Sequence, residues 1–102
     1  MSFPSEGLTP VVYNVTMTDL DTQYSQALPG NCRYFTISCQ DGTAFRLAFV
    51  TGKVATPTAP WIQLLANQAY NSPEKMLLGP ATTLYFACGS AGKKVQIIAW
   101  TT

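Results

Sequence analysis

The sequence predicts an all-β domain, on three observations. Between Val11 and Trp100, apolar and polar residues alternate in eight short runs. Gly, Pro, Asn and Asp separate these runs at intervals of roughly 8 to 12 residues, the spacing of a two-layer sandwich or a small barrel. No segment carries a helical period long enough to hold a site. The specific expectation is a jelly-roll-like β-sandwich of about eight antiparallel strands over residues 11–102, preceded by an extended N-terminal arm over residues 1–10.

The arm contains Pro4, Gly7 and Pro10, which disfavour regular pairing. Phe3 and Leu8 give it apolar surface to bury, either on its own domain or on a neighbour, so Phe3, Pro4, Leu8 and Pro10 are candidate interface residues. The first strand spans Val11 to Met17, with Val11, Tyr13, Val15 and Met17 on one face. A turn at Thr18–Asp21 leads to a short strand at Tyr24–Leu28, which Pro29-Gly30-Asn31 ends. The third strand, Cys32–Cys39, sets Arg33, Phe35, Ile37 and Cys39 against Cys32, Tyr34, Thr36 and Ser38. Asp41-Gly42 between two alternating runs predicts a tight hairpin to a fourth strand, Ala44–Val50, with Phe45, Leu47 and Phe49 facing the core.

Residues 51–60 hold Gly52, Pro57 and Pro60, and so read as a long connection that carries the chain from one sheet to the other. Strand five follows at Trp61–Leu65. A sixth extended segment covers Ala69–Asn71, with either a continuation at Lys75–Leu78 or a helical turn capped by Ser72 and opened by Pro73. Strand seven is Thr82–Cys88, a hairpin at Gly89–Gly92 follows, and strand eight is Lys94–Thr101. Trp100, in phase with Ile98, is expected in the core.

Composition narrows the function classes. Charged residues make up 11% of the chain, against roughly 25% in an ordinary soluble domain. Such a neutral exterior is either built from Ser, Thr, Asn and Gln or covered by partners, including other copies of the chain. Six Lys and Arg against five Asp and Glu leave no basic stripe for nucleic acid. No apolar run approaches the roughly 20 residues that span a bilayer. The opening MSFPSEG has neither basic residue nor apolar core, so synthesis and retention in the cytoplasm are expected.

Catalytic chemistry is poorly provided for. With no histidine, Ser-His-Asp and Cys-His proton transfer and a cupin-type metal centre are all missing their imidazole. Glu6, Asp19, Asp21, Asp41 and Glu74 lie in turns or the arm rather than as a facing pair. Asp19 and Asp21 share the spacing of a calcium loop but lack its glycine and distal glutamate. Thr51-Gly52-Lys53 lacks the leading glycine of a phosphate loop. Cys32, Cys39 and Cys88 are expected as reduced core residues. Cys32 and Cys39 fall on opposite faces of their strand, and a Cys39–Cys88 bridge stays open. No enzyme, cofactor, metal or small-molecule substrate is expected. Trp61, at the mouth of the long loop, and Tyr70, beside Asn67, Gln68 and Asn71, remain candidates for an interface or for stacking on a sugar.

Four segments carry a resemblance: DTQYSQALP (Asp21–Pro29), TAFRLAFVTGKV (Thr43–Val54), SPEKM (Ser72–Met76), and TLYFA (Thr83–Ala87) with AGK following at Ala91. Together they resemble a group of small virion structural proteins of tailed bacteriophages. The resemblance implies a particle component with no catalytic residues to carry over. The expected role is a head decoration, or cement, protein bound to the major capsid protein or other virion proteins. The alternative is a neck or tail component, including a receptor- or carbohydrate-binding module that uses Trp61 and Tyr70.

Overall fold

The computed structural model describes residues 8–72 and 82–102. In chain order the strands are β1 (Thr9–Met17), β2 (Tyr24–Ala27), β3 (Cys32–Cys39), β4 (Phe45–Ala48), β5 (Ile62–Leu64), β6 (Ala69–Asn71), β7 (Thr83–Ala87) and β8 (Lys93–Thr101), with no helix among the described residues. They form two four-stranded antiparallel sheets, one in the order β1-β8-β3-β6 and the other in the order β2-β7-β4-β5.

Alternation decides what lies between the sheets. Phe35, Ile37, Val95, Ile97 and Ala99 point inward from the β1 sheet, and Phe45, Leu47, Leu84 and Phe86 meet them from the β2 sheet. Met17, Leu28 and Leu64 close the margins of the same core. Each of the larger side chains contributes about 1.5–3 kcal/mol by leaving water, an upper figure because unfolded chains already bury some apolar surface. Tyr70, Phe35 and Phe49 plug one margin, with ring centroids 5.8–6.3 Å apart. Phe49, expected in the core, lies just past the end of β4 and is 41% exposed.

The connections differ from the sequence expectation. Asp41-Gly42 does not make a hairpin, because β8 and β6 already fill both edges of β3 and β4 has to join the opposite sheet. Gly89–Gly92 is likewise a crossing, since β8 lies between β1 and β3 and has no edge left for β7. The long segment 51–60, expected to cross, instead joins β4 to β5, which pair directly through Phe45↔Leu64, Arg46↔Gln63 and Leu47↔Ile62.

Three further expectations are corrected. A register shift between Cys32 and Tyr34 makes Arg33 an extra residue, and this bulge turns Cys32 to the same buried side as Cys39. All three cysteines are free and buried, as expected of reduced core residues: Cys39 Sγ donates to Asp41 Oδ1 and Cys88 Sγ to the Ala44 carbonyl, and the Cys39–Cys88 alternative is not realised. Trp100 faces outward and is 38% exposed, because its neighbours Ala99 and Thr101 occupy the inward positions. β1 also starts earlier than expected, so Thr9 and Pro10 are strand residues rather than arm. Phe3, Pro4, the possible turn at Pro73 and the continuation at Lys75–Leu78 lie outside the described residues.

The Asp41 corner carries the chain from β3 to β4 in five residues. Gly42 N–H donates to the Cys39 carbonyl at 3.1 Å, and Gly42 itself has φ 80°. A Cβ there would fall on the Asn67 side chain. Gly42→Ala combines left-handed strain with that overlap, so a loss of about 1–3 kcal/mol is expected. Urea denaturation should show a lower midpoint with an unchanged slope.

Candidate functional site

The outer faces of the two sheets are treated differently. On the β2 sheet, segment 51–60 folds back over Ala48 and Ala87 and seats Val54, 0% exposed, against them, with Trp61 and Tyr85 packed alongside. Arg46 fastens this cover by donating from Nε to the Val54 carbonyl at 2.7 Å. That face is therefore a small second core.

The outer face of the β1 sheet has no such layer among the described residues. Strand register builds it in rows. Pro10, Trp100 and Tyr34 form the first, and Val12, Ile98, Thr36 and Asn71 the second. Asn14, Gln96, Ser38 and Ala69 form the third, and Thr16 beside Lys94 begins the last. One end is thus apolar and aromatic, with Val12 57% exposed. The remainder is polar but uncharged up to Lys94, with Arg33 confined to the bulge. Its polar side chains bond to one another: Gln40 Nε2 donates to Asn14 Oδ1 at 2.9 Å and Thr36 Oγ1 to Asn71 Oδ1 at 2.7 Å. Such a surface can bury apolar area against a partner with little charge to desolvate.

The residues singled out from sequence fall in separate places. Leu8 is half-buried just ahead of β1, and Pro10 is exposed at the start of β1 opposite Trp100. Trp61 is half-buried in the cover over the β2 sheet, whereas Tyr70 turns inward on β6 and stacks on Phe35 with ring centroids 5.8 Å apart. The two aromatics therefore share no platform. The amides beside Tyr70 are also committed, with Gln68 Oε1 accepting from Leu65 N–H and Asn71 Oδ1 from Thr36. Tyr34, Ile98 and Trp100 were not singled out as surface groups, although Lys94 and Gln96 share their phase on β8 with Ile98 and Trp100 and so point to solvent.

Two ion pairs, Asp41–Lys93 and Asp21–Arg46, sit at corners of the fold. Asp41 accepts from Thr43 N–H, Thr43 Oγ1 and Cys39 Sγ on Oδ1, and from Lys93 Nζ at 2.9 Å on Oδ2. The Lys93 ammonium, followed by the Thr43 hydroxyl and the Cys39 thiol, holds the Asp41 carboxyl far below the usual carboxylate range. The bond to Asp41 raises Lys93 in turn. Burial pushes the Cys32 and Cys39 thiols up, with the Asp41 bond adding to the shift at Cys39. Asp21 does not join Asp19 in a cation loop, since its Oδ1 lies 2.7 Å from Arg46 Nη2. Among the described residues no three Cys, Asp or Glu side chains are grouped to hold a metal.

Compared with protein-family models, curated proteins and solved structures, the chain finds no match.

The Asp41 corner sets a pH dependence. A carboxylate with a depressed folded pKa contributes stability that is complete above its unfolded value and is lost as pH falls toward the folded one. Thermal midpoints should therefore be level above about pH 5 and decline below about pH 4. Asp41→Asn should lower the plateau and shallow that acid limb. Lys93, raised, contributes below its ordinary value and loses that contribution as pH climbs through the folded pKa, so Lys93→Met should flatten the alkaline limb.

Proposed function

We propose that the chain is a structural protein of a tailed-bacteriophage virion: a head decoration protein that lays the outer face of its β1 sheet on the assembled major capsid protein. The observation that carries this reading is that face, nearly uncharged and without a covering layer among the described residues, with Pro10, Val12, Tyr34, Ile98 and Trp100 at one end. The sequence resemblance to small phage virion proteins supports a particle component, and the low charge of the chain favours the head over the neck or tail. The strand orders β1-β8-β3-β6 and β2-β7-β4-β5 support reading the sandwich as a jelly roll, an architecture that serves in viral shells.

The mechanism is linkage. A protein that binds only the assembled lattice stabilises it by mass action, without contacting the reacting chemistry of any substrate. The energy comes from apolar burial centred on Trp100 and Tyr34, aromatic types that dominate interface affinity. No cofactor takes part.

Quantitative mass spectrometry of purified particles tests the reading. Hundreds of copies against the major capsid protein support a lattice-wide role, and a dozen or fewer move the chain to the neck or tail. Trp100→Ala should weaken binding to undecorated heads by about 30-fold, the effect of one interface anchor, while leaving the isolated domain folded. Trp61→Ala should leave head binding unchanged, because Trp61 belongs to the covered face. Unaltered binding by the Trp100 variant would remove this face from the contact.

A further inference from the structure

The four sheet edges are unequal. β2, β5 and β6 are four, three and three residues long, and short edges are one of the ordinary protections against strand addition. β1 is nine residues long, and no described strand pairs its outer side. It carries no charged residue and no bulge, and its register with β8 is unbroken from Thr9 to Met17. Among the described residues, Pro10, at one end, is its single protection.

We infer that β1 pairs antiparallel with β1 of a second copy of this chain, joining two β1 sheets into one eight-stranded sheet across a two-fold axis. The occupant has to be an extended strand that alternates in the same phase and sets no like charges opposite one another; β1 itself meets both conditions. Directly opposed residues share a face, so the axis passes through a residue and not between two. Proline on an edge strand turns its missing N–H outward, which places Pro10 outside the paired stretch. An axis through Asn14 does this. It pairs Val11–Met17 with its copy, opposes Val12 to Thr16 and Tyr13 to Val15, and leaves Pro10 facing the end of the partner strand. Tyr13 and Val15 then make the aromatic and β-branched contact that stabilises cross-strand neighbours. Asn14 meets Asn14 on the outer face, its Oδ1 already fixed by Gln40.

This pairing rests on the fold and holds whatever larger surface the domain serves. It also sets both Trp100 patches on one side of the joined sheet, so a lattice would be gripped at two points.

Sedimentation of the full chain at about 100 µM should give a dimer, a concentration at which even a micromolar association is nearly complete. Asn14→Lys places an ammonium against its own copy and should raise the dimer Kd at least tenfold, with an unchanged circular dichroism spectrum because position 14 is exposed. Two double variants then test the register. V12K/T16E opposes unlike charges across the axis and should remain dimeric, whereas V12K/T16K opposes like charges and should be monomeric. A monomeric natural chain overturns the inference. So does a dimer that survives both Asn14→Lys and V12K/T16K, since its contact then lies elsewhere. Loss of head binding by a chain that still dimerises would count against the virion reading alone.

Discussion

The packing of one sheet against the other is the interaction on which everything else in this molecule depends. Six of the seven steps between consecutive described strands change sheet, and among the described strands only β4 and β5 are both consecutive and paired. Neither sheet can therefore form as a local unit. β8 lies between β1 and β3, so the centre of its sheet is completed by the last strand of the chain. The hydrogen-bonded ladders become favourable only once Ile37, Val95 and Ile97 have met Leu47, Leu84 and Phe86 across the gap. A fold of this kind closes long loops before contacts repay them, which makes it slow to form and cooperative once formed.

This dependence explains what could be read from the sequence. The strands were legible because a half-buried strand writes its two faces into alternate residues, and Val11 through Met17 or Val95 through Ala99 do so plainly. The connections were not. Asp41-Gly42 reports the backbone angles of a turn, but whether that turn ends in a hairpin depends on whether the edges of β3 are already taken, and β6 and β8 take them from far along the chain. The bulge at Arg33 was equally hidden, since one extra residue reverses the phase of Cys32 without changing the pattern after it. The candidate site was only partly legible. Pro10 lies at its margin, but Trp61 and Tyr70 were chosen for standing among loop residues, and the fold commits both rings to packing. Trp100 could have been found from Lys94 and Gln96, whose shared phase outweighs the habit of burying tryptophan.

Charge is scarce, and the fold places much of it where the chain changes sheets. Asp21 pairs with Arg46 beside the β1-to-β2 crossing, and Asp41 pairs with Lys93 where the chain leaves β3 and enters β8. Exposed pairs alone contribute at most about 1 kcal/mol. These do more by position: Arg46 also holds the Val54 carbonyl, and Asp41 also receives Thr43 N–H, so each pair fixes the direction in which the backbone leaves a corner. Crossings have no ladder to direct them, and side chains supply that direction instead.

The same distribution makes the two outer faces unequal. The chain seals the β2 sheet with its own segment 51–60, and Val54 behaves there as a core residue. Among the described residues, the β1 sheet keeps an outer face free of carboxylates, with cations at Lys94 and at the Arg33 bulge. Docking on such a face removes little charge from water, and amides and hydroxyls already bonded to one another lose few water contacts when covered. Association there is governed by apolar area and shape, so salt should affect it weakly. A domain that must stay attached to a large neutral surface through changes of ionic strength is served by this arrangement. A protein that captures charged ligands needs the opposite one.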